Sequence, residues 1–185
     1  MKSLPYSPEA YDLLHQGCIA LARVEANGMR IDEGYLRGAL TKTQRTIQRK
    51  EDKLRASEVY RVWRKRYRTR TNFNSGEQLG KVLFEDMGFD CPKKTETGRY
   101  KTDELTLSKV DHPFVRRYLA IKKMQKGVQF LEGIRKETCN GILRPSFNLH
   151  LVRTYRSSSD SPNFQNLPVR NKWMKDLVRK CVVAR

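Results

Sequence analysis

Residues 153–170, RTYRSSSDSPNFQNLPVR, gather side chains suited to recognising a polyanion. Arg153, Arg156 and Arg170 carry planar forks of donors that match phosphate oxygens and base-edge acceptors, and the carboxamides of Asn163, Gln165 and Asn166 both donate and accept. Serine hydroxyls, here Ser157, Ser158 and Ser159, and free backbone N–H groups are usual phosphate contacts. A solvated, cap-rich loop is an equally good reading of that composition alone. A second stretch sets Arg61, Arg64, Lys65, Arg66, Arg68 and Arg70 around Trp63 and Tyr67. Aromatics among basic side chains can stack on bases or clamp a backbone; a solvated helix face with Trp63 packed as core fits equally well. The sequence predicts no catalytic and no metal-binding residues. His15, His112 and His150 are scattered, and Cys18, Cys91, Cys139 and Cys181 lack the spacing of metal ligands. After Glu137 the acids are Asp160 and Asp176, which do not form a metal pair.

The charge distribution agrees with a polyanionic partner. The 185 residues hold 38 Lys and Arg against 20 Asp and Glu, a formal net charge of +18. Residues 41–70 carry 12 basic and three acidic side chains, and residues 136–185 carry ten and three, with a nearly balanced stretch between. Two positive surfaces flanking one polyanion are the simplest reading, with nucleic acid ahead of an anionic membrane surface. No apolar run is long enough to span a bilayer, so no membrane is expected. The N-terminus turns acidic before a signal-peptide apolar region forms, and isolated cysteines suit a reducing cytoplasm. A hydrophobic fraction of 38% leaves enough apolar side chains for a core.

The elements that must position these residues are mostly helical. Ser7-Pro8-Glu9 starts a helix whose apolar side is Leu13, Leu14, Ile19, Leu21 and Val24 and whose stop is Asn27-Gly28. Met29–Ile31 is too short for more than a bridging extended piece. Asp32 caps a second helix with a stripe at Leu36, Leu40, Ile47 and Leu54, which continues or breaks through residues 60–70. Ser75-Gly76-Glu77-Gln78 is a capping-box pattern before a helix bearing Leu79, Val82 and Leu83. Residues 90–101 form an exposed loop, Asp103 starts a short helix, and His112-Pro113 a long one to about Ile134. Asn140-Gly141 makes a turn into strands from Ile142. The fold class is therefore α+β, predominantly helical, with a sheet that is only begun and has an open edge.

Here the residues carry a resemblance. Thr154, Arg156, Ser158, Ser159, Pro162, Asn163, Gln165, Asn166, Pro168, Val169 and Arg170 spell a pattern that resembles the family A DNA polymerases, the bacterial DNA polymerase I type. Glu25–Asp32 resembles the opening of that family's polymerase domain, and Phe73–Ser75 with Gln78-Leu79 and Val82–Phe84 resembles a thumb helix start. Lys93–Thr95, Thr97-Gly98 and Tyr100–Glu104 resemble the thumb-tip loop. The resemblance implies an opening segment over 1–34, a helical thumb over 35–136 with its tip at about 90–101, and the start of a palm over 137–185. It implies a primer–template duplex DNA partner. Arg156 would donate to minor-groove acceptors, with Ser158, Ser159, Asn163, Gln165, Asn166 and Arg170 beside it, and Asn74, Ser75, Lys94 and Lys101 would approach phosphates. Purine N3 and pyrimidine O2 lie in nearly the same place for every base pair, so an Arg fork there senses pairing without sensing sequence.

Two departures qualify the likeness. Gly127 falls where the family places a DNA-contacting lysine, for which Lys126 is the stand-in. The family's metal-binding carboxylates, which imply Mg²⁺ for the complete polymerase, find no match in these residues, nor do its fingers or an exonuclease region. The expectation is a DNA-binding fragment or split subunit, phage-like in lacking an exonuclease and inactive alone, whose partner is the missing palm and fingers polypeptide. The alternatives are a stand-alone, non-catalytic nucleic-acid-binding module derived from such a polymerase, or an unrelated basic RNA-binding helical protein.

Overall fold

Helix caps and left-handed turns set the element boundaries in the computed structural model, which describes residues 7–149, 151, 156–164 and 172–183. The described chain is α+β and mostly helical, with small antiparallel sheets. Among the described residues, no helix is long and apolar enough to cross a membrane. The chain divides into two compact units, residues 1–42 with 127–185, and residues 43–126.

In the first unit, Ser7 accepts the Ala10 N–H and opens α1 (Pro8–Asn27), which Gly28 ends at φ +62°. β1 (Met29–Ile31) follows, and Asp32 accepts the Tyr35 N–H at 2.8 Å at the start of α2 (Glu33–Arg55). Far along the chain, α6 (Pro113–Glu137) ends in a hairpin of β2 (Thr138–Cys139) and β3 (Ile142–Leu143). Its turn residues Asn140 and Gly141 sit at φ +51° and +71°, the geometry that an Asn-Gly pair favours. The sheet order is β2-β3-β1-β6, with β6 at Val182–Val183. The three residues of β1 are thus a central strand rather than a bridge: Met29 pairs with Leu143, and Ile31 with Val182. Length concealed this, because three residues satisfy a strand only when partners hundreds of bonds away flank both edges.

The apolar side expected for α1 is only partly used. Leu14, Gly17 and Leu21 are half-buried, whereas Leu13 is 74% and Val24 51% exposed. The helix lies on β4 (Ser146–Asn148) by one narrow face, where Glu25 accepts the Phe147 N–H and a Cβ on Gly17 would stand 2.9 Å from Leu149 Cδ1. The helical period holds, but the face in contact runs through Leu14, Gly17 and Leu21, rotated away from Leu13 and Val24. α7 (Lys172–Arg179) buries Met174 and Val178, and Asp32 N–H donates to the Cys181 carbonyl to tie the end of α7 to the start of α2.

The second unit has its own core. Leu54, Val59, Trp63, Leu79, Val82, Leu83, Leu107, Phe114, Val115, Tyr118 and Ile121 form one buried cluster. α2 ends at Arg55, and Ser57 caps α3 (Glu58–Tyr67) by accepting the Tyr60 N–H. A 3-10 turn over Arg68–Arg70 follows, then α4 (Gly76–Lys81), whose last turn widens into a π-helical turn over Val82–Asp86. α5 (Glu104–Leu107) is capped by Asp103, which accepts the Thr106 N–H at 2.8 Å. The Thr106 hydroxyl and N–H, with the Lys101 ammonium behind them, hold the Asp103 carboxyl down at about 2. A depressed carboxyl contributes stability above its unfolded value near 3.8 and loses it as pH falls through 2. Carbon-detected NMR titration of Asp103 is expected to give a midpoint near 2; a midpoint of 4 would mean the cap does not form in solution.

Candidate nucleic-acid interface

In the second unit the structure fixes Asn74 and Ser75 firmly. Ser75 is the cap of α4 and accepts the Gln78 N–H, so its hydroxyl is already engaged. Asn74 donates its backbone N–H to Asn72 Oδ1, and its own Oδ1 accepts from Lys122 Nζ at 2.7 Å. Lys122 was not among the expected site residues. It lies 5.4 Å over the Tyr118 ring, and burial pushes its ammonium below the usual lysine range. The signal available in the sequence was its place one turn after Tyr118 on the long helix. Lys126, one turn further, is exposed on the same helix α6.

Lys94 and Lys101 belong to the loop before α5. Lys101 N–H donates to the Lys93 carbonyl and Thr95 N–H to Arg99, closing a tight turn at Gly98 with φ +75°. Lys93, Lys94, Thr95, Glu96, Thr97 and Lys101 line one hollow there, so this loop brings both candidate lysines together. Lys94 Nζ lies 5.3 Å over the Tyr100 ring, and Lys101 pairs with Asp103 at 3.1 Å. Lys94 is therefore the freer cation of the two.

The capping box at Ser75–Gln78 forms only its first half. Gln78 turns away and serves the preceding segment: its Oε1 accepts from Trp63 Nε1 at 3.0 Å and from Asn72 N–H at 2.9 Å, and its Nε2 donates to the Arg70 carbonyl at 3.0 Å. One carboxamide thereby fixes the backbone from Arg70 to Asn74. Trp63 itself is 0% exposed and stacks on Phe73 with centroids 5.5 Å apart. Of the two readings of the basic aromatic stretch, Trp63 follows the core reading and is not available to stack on a base.

In the first unit, Ser158–Asp160 is a strand, β5, paired antiparallel with β4 in the register Phe147–Ser159. The serine run reads as loop in the sequence because serines carry little strand propensity; the ladder to β4 supplies the order instead. Ser159 is buried, with its hydroxyl 3.5 Å from Asn163 Oδ1. The Ser158 hydroxyl is buried with no hydrogen-bond partner among the described residues. Arg156, two residues before the strand, is exposed, and no ion pair or hydrogen bond holds its guanidinium among the described residues. Asn163 is exposed after the strand. The candidates Gln165, Asn166 and Arg170 lie outside the described residues.

Over residues 37–185 the sequence matches the model of DNA polymerase family A. The chain belongs to that family. Family members similar to it include the thermostable DNA polymerase I of Thermus thermophilus, 31% identical over 174 residues, which cover 89% of this chain and 19% of the relative. The DNA polymerase of Escherichia phage T5 is 31% identical over 180 residues, 94% of this chain and 21% of that protein. The chain thus spans about a fifth of the length of the curated relatives it matches. Among solved structures, the POL domain of Pol1 from M. smegmatis, in complex with DNA primer-template and dNTP, superposes with a TM-score of 0.72 at 27% identity, covering 89% of this chain and 28% of that one. Family A polymerases are generally dependent on Mg²⁺. Among the described residues no group of three or more His, Cys, Asp or Glu is placed to hold a metal ion, so those residues do not offer a site for that cofactor.

Proposed function

We propose that these residues form the duplex-holding part of a family A DNA-directed DNA polymerase, gripping primer–template DNA through minor-groove and phosphate contacts for template-directed nucleotidyl transfer in replication or repair. The catalytic carboxylates, the Mg²⁺ they bind, and the remaining palm and fingers come from polypeptide beyond these residues. In this reading residues 35–136 are the thumb with its tip near 90–101, residues 1–34 lead into it, and residues 137–185 begin the palm. The observation that carries the reading is Arg156: an exposed arginine without a partner among the described residues, two positions before the β4–β5 ladder and inside the family's own motif. A guanidinium left unpaired keeps its planar donors for acceptors outside the chain. Asn163 beside it, and Asn74, Ser75, Lys94, Lys101 and Lys126 in the other unit, would contact the primer–template as well, with Gln165, Asn166 and Arg170 completing the motif.

Fluorescence anisotropy of a labelled primer–template junction, read against salt, tests the assignment. Arg156→Ala is expected to weaken binding by about 1–3 kcal/mol while leaving the slope of log K against log salt nearly unchanged, because the lost contact is to a base edge. Equal affinity of the variant and the original chain for the junction would remove Arg156 from the interface. Duplex DNA is expected to bind more tightly than double-stranded RNA, whose minor groove is wide and shallow.

A further inference from the structure

The cations of α3 and its following turn remain unused by the contacts above. Val59 and Trp63 are buried on the inner side of α3, and Arg61, Arg64, Lys65 and Arg68 are exposed on the other, with Arg70 exposed beyond. Arg66 alone is satisfied, donating to Glu85 at 2.6 Å and to Asp86 at 2.8 Å. Those two acids are thereby spent, and Glu58 is the only acid between residues 53 and 76. No ion pair neutralises Arg61, Arg64, Lys65, Arg68 or Arg70 among the described residues.

Two further observations show that this face is built rather than incidental. Arg68 ends α3 at φ +47°, a conformation that costs a side-chain-bearing residue and that glycine would adopt freely. An arginine kept there points to a use for its side chain. The turn is also rigid: Thr71 Oγ1 donates to the Arg68 carbonyl at 2.7 Å, and Gln78 clasps Arg70 and Asn72 on the way to Asn74. The cationic stretch is therefore joined through a hydrogen-bonded backbone to Asn74, proposed above as a DNA contact.

We infer that Arg61, Arg64, Lys65 and Arg68 form a second phosphate-binding track in the 43–126 unit, extending along one strand of the duplex the contact made at Asn74. The inference rests on the duplex-holding reading above. Arg64 and Lys65 lie between Arg61 and Arg68, which at the helical rise are about 10 Å apart along the axis. A duplex strand presents a phosphate about every 3.4 Å along its axis, so the track spans about three phosphates. An anionic membrane fits less well. Interfacial helices keep their apolar face for the bilayer, whereas α3 spends its own on the core, and no large apolar side chain between residues 58 and 70 is exposed.

The same anisotropy measurement with the triple variant R61Q/R64Q/K65Q tests the track. Three lost phosphate contacts are expected to make the log–log salt slope shallower by about 2.7 and to weaken binding on the order of a hundredfold at 0.15 M salt. Arg68→Gly is expected to flatten the slope by about 0.9 while raising the thermal midpoint, since glycine relieves the positive φ. A triple variant with the original slope overturns the track, and an accompanying Arg156→Ala effect would leave the minor-groove reading standing. Conversely, a flattened slope with no Arg156→Ala effect supports the track and removes the minor-groove contact. An unchanged slope, together with lost cosedimentation on phosphatidylserine–phosphatidylcholine vesicles, overturns the track in favour of a membrane.

Discussion

Trp63→Ala is expected to lower the unfolding free energy of the 43–126 unit by about 3–5 kcal/mol, the range for deleting a large aromatic from a packed core. The side chain is fully buried and central to a ring cluster: it stacks on Phe73, which lies 5.5 Å from Tyr118 and 6.5 Å from Phe114. The cavity would not collapse easily, because Val59 lies on α3, capped by Ser57, and Leu79, Val82 and Leu83 lie on α4, capped by Ser75, and the π-helical turn that continues it. Deletion also removes the indole donor to Gln78 Oε1, although that oxygen keeps the Asn72 N–H. Trp63→Phe separates the two effects, since it keeps most of the apolar volume and loses only the hydrogen bond, at about 1 kcal/mol for the bond plus any misfit of shape. Denaturant unfolding of both variants is the measurement. A loss under about 2 kcal/mol for Trp63→Ala would be too small for a packed-core aromatic and would reopen base stacking by Trp63. DNA affinity should fall further for Trp63→Ala than for Trp63→Phe, because both variants lose the indole donor to Gln78 but only the alanine removes the ring on which Phe73, next to Asn74, is stacked.

Local grammar made much of this fold legible. Ser7, Asp32, Ser75 and Asp103 each accept an N–H three residues on, as the cap residue types announce. The stripe Leu36, Leu40, Leu54 is buried because a helix that repeats its apolar residues every 3.6 positions has one face to hide. What could not be read were the facts set by distant partners. β1 is central because β3 and β6 close on it, and no feature of Met29-Arg30-Ile31 itself states that. Ser158–Asp160 is a strand because β4 supplies its hydrogen bonds. Gln78 reaches back to Trp63 across 15 residues instead of completing its box, and Lys122 reaches Asn74 across 48. The site shows the same division. The motif residues were recognisable by type and spacing; which of them are free to bind was not. Lys101 has its Asp103, whereas the candidate Arg156 has no such partner among the described residues.

Gly28→Ala is expected to cost about 4 kcal/mol, and its argument joins the sheet to the motif. Gly28 sits at φ +62°, ψ −170°, a region essentially closed to residues with a Cβ, which accounts for about 1–3 kcal/mol. A Cβ there would also stand 2.7 Å from Ile142 Cγ2 and 2.8 Å from the Leu143 carbonyl oxygen. The first neighbour is a side chain, but the second is backbone of β3, whose Leu143 pairs with Met29, so it cannot retreat without opening the ladder. Overpacking of that kind adds about 1–3 kcal/mol. Gly141→Ala is the control in the same sheet. Its φ is +71°, yet the nearest atoms to a Cβ are 3.9 Å away, so only the backbone term applies and about 1–2 kcal/mol is expected. Equal losses for the two variants would mean that α1 does not close on β3 as described. The larger loss at Gly28 should carry a functional consequence. The last turns of α1 hold β4 through Glu25 to the Phe147 N–H, while Arg144 Nε donates to the Ala26 carbonyl. β4 in turn pairs with β5, the strand that sets Arg156, so a displaced α1 end moves the arginine. Folded Gly28→Ala protein is therefore expected to bind primer–template DNA more weakly than Gly141→Ala protein, with the salt slope of both unchanged, because the residues proposed to contact phosphates in the 43–126 unit are untouched.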